Sequence, residues 1–227
     1  MKKIFLGILT ISTIMIACSK SDTPAASGGE KYMTSTAGST WNYQYTDNIT
    51  PANSNNYTVT SSNRDTTASG KVYHAFDNSN GNTEYYNVTG SDYFTLQPFN
   101  LGGADTSLVN NYLKDDAAVN FDWTQVYNLD LGLPVSVQIN VVNKIAEKGI
   151  DLTVGSTTYH NVIHVTSAIS SPTVSSVGGT LTTDIHYYYA PKYGMIQNNT
   201  KIDLVVSALG IDQHTDTQTK LQSATIL

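Results

Sequence analysis

With 227 residues, of which 40% are hydrophobic, the chain has enough apolar material for a packed core of one or two domains. Only 13% of its residues are charged, against roughly 25% in ordinary soluble proteins, which excludes a coiled coil or a long helix laced with ion pairs. Twelve Lys and Arg against eighteen Asp and Glu give a net charge of −6 with no basic cluster, so nucleic acid is excluded as a partner, and one cysteine excludes an internal disulfide.

Met1-Lys2-Lys3 is a short cationic start, followed by an uncharged apolar run from Ile4 to Ala17. At 1.5 Å per residue that run spans about 21 Å, short of the roughly 30 Å hydrocarbon layer, and it reads as the apolar part of an export signal covering residues 1–17. Met15-Ile16-Ala17-Cys18 then places a small residue directly before the sole cysteine, where apolar sequence gives way to polar. This resembles the lipobox of bacterial lipoproteins. The resemblance implies transfer of diacylglycerol to the Cys18 thiol, cleavage before it and acylation of the new amino terminus. The alternatives are an ordinary secretory signal with a chance cysteine, or a buried structural cysteine. Since each buried methylene contributes about 0.8 kcal/mol, two or three acyl chains would make attachment to the membrane effectively permanent.

Residues 18–37 read as a lipidated flexible tether, because Ser, Thr, Gly, Ala and Pro dominate them and such a composition cannot bury enough surface to order itself. The nineteen residues from Ser19 to Ala37 have a root-mean-square span of about 25 Å. Ser19 after the cysteine resembles outer-membrane sorting, while the choice between the periplasmic face and the cell surface stays open.

From Thr40 onward the hydrophobic period is two. Trp41, Tyr43 and Tyr45 alternate with Asn42 and Gln44, and Val135, Val137, Ile139 and Val141 alternate with Ser136, Gln138 and Asn140. The pattern predicts antiparallel strands near 40–46, 56–63, 70–77, 82–89, 92–97, 119–127, 134–147, 150–155, 158–167, 180–190, 195–208 and 217–226. Hairpin turns are expected at Asn80-Gly81, Thr89-Gly90-Ser91, Lys148-Gly149 and Gly155-Ser156. One short helix is expected within 107–116, from the spacing of Leu108, Tyr112 and Leu113, and a low-complexity loop over 167–180. The fold class is therefore mainly β, a single antiparallel and strongly curved sheet or half-barrel over 38–227, with a two-sheet β-sandwich as the alternative. The halves 38–118 and 119–227 echo one another: Trp41 and Trp123, Tyr73-His74 and Tyr159-His160, Tyr85-Tyr86 and Tyr187-Tyr188-Tyr189 recur in order, as an internal duplication would leave them.

Asp122-Trp123-Thr124, Glu147-Lys148-Gly149, the run Val154 to Val165 containing Tyr159-His160-Asn161-Val162, and Tyr188-Tyr189-Ala190-Pro191-Lys192-Tyr193-Gly194-Met195-Ile196 resemble a pattern found in Bacteroidetes-type exported lipoproteins of unknown function. The resemblance spans about Trp41 to Ile196 and implies an all-β envelope lipoprotein, without an agreed activity. Lys192-Tyr193 departs from the small or apolar pair more usual before Gly194, where a tight turn is expected.

No cofactor or metal motif is present. His160 and His164 lie four apart on an extended segment, about 13 Å, too far to share one ion, and the histidines read as polar residues of a solvated sheet face. Asp77 to Glu84 has the composition of a calcium loop but the wrong register, with Gly81 fifth and Val88 twelfth, so a hairpin at Asn80-Gly81 accounts for it. No catalytic residue is assigned, since no nucleophile elbow occurs and Asp115-Asp116 reads as a solvated loop.

Tyrosine is the unusual resource, with 15 against five Phe and two Trp. Its ring suits either half-buried sheet faces or a platform for sugars and amphiphiles. If Leu181, Ile185, Tyr187 and Tyr189 face inward, His186 and Tyr188 face outward. Tyr85, Tyr86, His186 and Tyr188 are therefore the candidate ligand-binding residues. Asp65-Thr66-Thr67 resembles the short acceptor motif of Bacteroidetes O-glycosylation, which makes Thr66, expected in a loop, a candidate glycosylation site. The expected function is a lipid-anchored binding or accessory module of the outer membrane, taking a glycan or amphiphile in a concavity. A structural or protein-interaction subunit is the alternative, and a hydrolase the third reading.

Overall fold

The computed structural model describes residues 30–101, 104–129 and 136–227, with side chains undescribed over 98–106, so residues 1–17, expected to be an export signal, and Cys18 lie outside the described residues. Twelve strands form one antiparallel sheet that curls until it is nearly closed into a barrel. They are β1 (Thr40–Asp47), β2 (Asn55–Ala68), β3 (Lys71–Asn78), β4 (Thr83–Thr89), β5 (Asp92–Leu101), β6 (Ala104–Lys114), β7 (Asp122–Leu129), β8 (Val137–Val154), β9 (Thr157–Ser170), β10 (Thr180–Ala190), β11 (Gly194–Val206) and β12 (Ile211–Thr225). Each strand pairs with the next in sequence within β1–β6 and within β7–β12, and pairing of β1 with β12 joins the two six-strand meanders. The curved single sheet is thus the observed form, and the sandwich is not.

The recurring motifs occupy matching places in the two meanders. Trp41 and Trp123 lie in the first strand of each, Tyr73-His74 and Tyr159-His160 in the third, and Tyr85-Tyr86 and Tyr187-Tyr188-Tyr189 in the fourth. These are the positions that duplication of a six-strand unit would give.

Curvature comes from local irregularities in the ladder. Register shifts interrupt the pairing at Asn42/Tyr43, Ser61/Asp65, Tyr93/Phe94 and Tyr188/Tyr189, and three more occur in the β8–β9 pair. Each extra residue bends its strand and increases the local right-handed twist, which lets a long sheet close on itself. Gly149 belongs to this set. Its φ of +74° suits a bulge inside β8, so Lys148-Gly149 is not a hairpin, and the strands expected at 134–147 and 150–155 are one. The hairpins at Asn80-Gly81, Gly90-Ser91 and Gly155-Ser156 are present, as is the turn before Gly194, which has φ +70° after Lys192 at +69°.

Residues 107–116 are not helical. Leu108, Tyr112 and Leu113 have helical spacing, but the segment lies beside β5 and pairs with it from Leu101↔Ala104 to Asp92↔Lys114, and this ladder overrides the local pattern. The single α-helix among the described residues, α1 (Pro172–Ser176), falls instead inside the stretch expected as a loop. Ser171 caps it, accepting from the Val174 amide at 3.3 Å, and Pro172 opens it where a missing N–H costs nothing.

Closure between the end strands β6 and β7 uses side chains in place of a backbone ladder. Trp123 Nε1 donates to the Asn111 carbonyl at 2.7 Å, Tyr127 Oη donates to the Val109 carbonyl at 3.0 Å, and the Asn111 amide donates to Gln125 Oε1 at 2.7 Å. From β8, Asn143 Nδ2 also donates to the Asn111 carbonyl at 3.3 Å. Backbone groups on an edge that would otherwise template aggregation are occupied in this way.

Residues 30–37, read from the sequence as the end of the tether, lie against the barrel as a strap, so the packed domain begins earlier than position 38. The Lys192 amide donates to the Lys31 carbonyl at 2.7 Å, the Tyr32 amide donates to Tyr93 Oη at 3.0 Å, and Tyr32 Oη donates to the Asn161 carbonyl at 2.7 Å. Met33 packs against both apolar clusters of the interior, one around Trp41, Phe76 and Ile196, the other around Tyr93, Leu113 and Ile145.

Candidate functional site

The interior face of the curved sheet holds a cavity of about 290 Å³, and its lining follows directly from the period-two pattern. Alternate residues of six strands supply it in pairs. Trp41 and Tyr43 come from β1, Tyr57 and Val59 from β2, and Glu84 and Tyr86 from β4. Thr95 and Gln97 of β5, Asn110 and Tyr112 of β6, and Tyr187 and Tyr189 of β10 complete the pattern. Phe76, Met195, Asn198 and the strap residue Met33 fill the gaps.

Nine aromatic rings line the space, and they touch in series. Phe76 contacts Trp41 at 5.7 Å and Tyr86 at 5.2 Å between centroids, Tyr112 contacts Tyr86 at 6.0 Å and Tyr189 at 5.3 Å, and Tyr43 stacks on Tyr57 at 5.4 Å. Tyr193, in the β10–β11 turn, also lines the cavity and meets Tyr159 edge-on at 5.1 Å. The polar members Glu84, Thr95, Gln97 and Asn110 are concentrated on β4, β5 and β6, so the cavity has one polar wall and otherwise mostly aromatic and apolar sides. Glu84 accepts from Asn78 Nδ2 at 2.9 Å and from Tyr86 Oη at 2.7 Å. Burial first, and the Glu84 charge after it, push the Tyr57 phenol up to about 12 and the Tyr86 phenol well above its ordinary value. Both rings are therefore neutral at physiological pH. Trp41, only 3% exposed, has no hydrogen-bond partner for its Nε1, and the buried Thr95 Oγ1 has none either. Two unpartnered polar atoms on residues lining one cavity are unusual, since buried polar groups are normally satisfied.

Of the sequence-predicted residues, Tyr86 lies in this cavity. Tyr85 is on the opposite face of β4, between Ala75 and Leu96 in the register. His186 and Tyr188 are also on the outer face, as their alternation with Tyr187 and Tyr189 requires, and so they do not join Tyr86. Both are instead part of a packed array. The Tyr188 ring stacks on His164 at 4.4 Å, His164 Nδ1 contacts Glu147 Oε2 at 2.8 Å, His164 Nε2 contacts His186 Nδ1 at 2.8 Å, and His186 Nε2 contacts Asp184 Oδ1 at 2.7 Å. His164 is only 7% exposed, which corrects its reading as a residue of a solvated face. Every ring nitrogen of the pair already faces a partner, so neither histidine presents a free lone pair to a metal. His160, in contrast, is exposed and pairs with Asp151 at 2.8 Å. Thr66 is not in a loop either. It lies within β2, half-buried and paired with Tyr73, because that strand runs to Ala68 before the turn.

One constellation was illegible in the sequence. Ser61 Oγ lies 2.9 Å from His74 Nε2, and His74 Nδ1 lies 2.8 Å from Asp65 Oδ1, the spacing of a nucleophile, base and orienting carboxylate. The register shift between Ser61 and Asp65 on β2 creates it, by bringing both beside His74 of β3. Ser61 is only 1% exposed, however, and its hydroxyl also donates to the Ser35 carbonyl of the strap at 3.0 Å. No substrate carbonyl can approach Oγ in this arrangement. Its physical effect is to fasten the strap to the barrel.

No family model and no curated protein matches the chain. Among solved structures, it is similar to a candidate lipoprotein from Parabacteroides distasonis ATCC 8503, at 14% identity over 86% of this chain and 99% of that one, with a TM-score of 0.48. It is also similar to a candidate exported protein with a YmcC-like fold from Bacteroides fragilis NCTC 9343, at 8% identity over 86% of this chain and 99% of that one, with a TM-score of 0.45.

Proposed function

We propose that the protein is an outer-membrane lipoprotein, anchored through Cys18, whose barrel is a non-catalytic binding module for a small amphiphile. The observation that carries this reading is the interior cavity, about 290 Å³ with nine rings and a single polar wall. Such a space matches the division of an amphiphile into an apolar body and a polar end, and is close in size to the smaller ligand sites of proteins. Burial of the apolar body supplies affinity, at roughly 25 cal/mol per Å² removed from water. The side chains of Gln97 and Asn110 in the polar wall supply hydrogen-bonding groups for the polar end.

Titration of the purified protein with 1-octanol and octyl glucoside, followed by tryptophan fluorescence, tests the cavity. Both ligands are expected to bind, and Tyr86→Ala or the cavity-filling Asn198→Trp should weaken binding about tenfold or more, equivalent to about 1.4 kcal/mol. Binding unaffected by either folded variant would refute the cavity as the site, and a response to maltotetraose alone would replace the amphiphile by a glycan. The anchor is tested separately. Cys18→Ala is expected to move the protein from the membrane pellet to the soluble fraction, and sedimentation with membranes after a high-salt wash would contradict lipidation at Cys18.

A further inference from the structure

The cavity has a charge as well as a shape. Glu84 is the one ionisable side chain of ordinary acidic or basic type in its lining, and no Lys, Arg or His accompanies it. Among the described residues, no basic side chain forms a salt bridge with Glu84, whose recorded partners are the neutral Asn78 amide and Tyr86 phenol. The surrounding phenols stay neutral, since burial and the Glu84 charge both raise them. The cavity therefore carries one negative charge beside the faces of several rings. Those faces are themselves electron-rich and attract cations, most strongly when desolvated. An anionic head would instead meet an uncompensated carboxylate in a partly water-excluded space, which is repulsive.

We infer that the cavity prefers amphiphiles with a cationic organic head, an alkylammonium or quaternary ammonium group seated between Glu84 and the neighbouring rings of Tyr57, Tyr86 and Phe76. The preference rests on the amphiphile reading above and sharpens it. A bare metal ion does not suit the same space, because the described residues contain no group of three metal-ligating side chains and the lining is mainly rings and apolar groups.

Three ligands of equal chain length separate charge from apolar burial: octyltrimethylammonium, 1-octanol and octyl sulfate, each titrated into the purified protein below its aggregation concentration. The ammonium compound is expected to bind about tenfold more tightly than octanol, and octyl sulfate more weakly than octanol. Glu84→Gln retains an acceptor for the Tyr86 hydroxyl and should bring the ammonium compound to within about twofold of octanol measured on the same variant. Gln97→Lys, a second variant, places a cation in the polar wall and should remove the ammonium preference without altering Glu84. Octanol binding with no ammonium preference, or a preference untouched by both variants, would overturn the inference while the amphiphile reading stands. Failure of all three ligands to bind would overturn both.

Discussion

Trp123→Ala is expected to lower stability by about 4 kcal/mol, within the range for removal of a buried tryptophan. Two losses combine there. The indole is only 9% exposed and packs in the interior cluster with Tyr93, Leu113 and Ile145, and its Nε1 is a principal donor to the β6 backbone. Truncation therefore empties core volume and removes part of the seam that holds the two end strands together. Trp123→Phe should cost much less, about 1 kcal/mol beyond any repacking, because it forfeits the hydrogen bond while keeping most of the apolar contact. Urea denaturation of the two variants measures both terms. A cost below about 1 kcal/mol for the alanine variant would show that the β6–β7 closure contributes little to the fold. Since Asn110 and Tyr112 of β6 line the cavity, the alanine variant should also weaken ligand binding.

Tyr93→Ala is expected to be comparably severe, at about 4 kcal/mol. Its ring is fully buried, while its hydroxyl accepts from the Tyr32 amide and donates to Asp115 Oδ2 at 2.6 Å. Burial, followed by the Asp115 carboxylate, pushes the phenol well above its ordinary range, so it remains a neutral donor throughout physiological pH. Tyr93→Phe separates packing from polar anchoring and should cost about 2 kcal/mol, because it leaves both the Tyr32 amide and the Asp115 carboxylate short of a partner. Hydrogen exchange gives the sharper reading. The Tyr32 amide should lose protection in Tyr93→Phe, whereas amides of the β9 and β10 interior, such as Val165 and Tyr187, should not. Unchanged exchange at Tyr32 would show that the strap is held by its other contacts.

Much of the barrel is visible in the alternation of side chains, because a strand buried on one face must repeat every two residues. Trp41 with Tyr43, and Tyr187 with Tyr189, show this directly. The failures have a common origin in pairing that acts across the sheet. Leu108, Tyr112 and Leu113 have helical spacing, and only the neighbouring β5 ladder decides against a helix. Gly149 has the chemistry of a hairpin, and only continuation of the β9 partner beyond it shows a bulge. Such competition between local preference and long-range contact is the usual limit of local pattern.

The site was legible in part for the same reason. The aromatic character of Tyr86 marks it in the sequence, but Tyr85, His186 and Tyr188 point to the other face of the sheet. A consistent choice of face across all strands would have found the cavity, since Tyr57/Val59, Glu84/Tyr86, Thr95/Gln97 and Asn110/Tyr112 share the i, i+2 spacing of Trp41/Tyr43. Glu84 is masked in the sequence by its place at the end of a mock calcium loop. The pairing of Ser61 with His74 and Asp65 depends on a bulge between strand partners, for which no local signal exists.

The most direct measurement is the position of a bound amphiphile, obtained from intermolecular nuclear Overhauser effects between octyl glucoside and the protein in solution. Contacts to the rings of Trp41, Tyr86 and Tyr112 are the expected result, with none to His186 or Tyr188. Contacts confined to the outer face around Tyr188, or absent altogether at saturating ligand, would contradict an interior binding site.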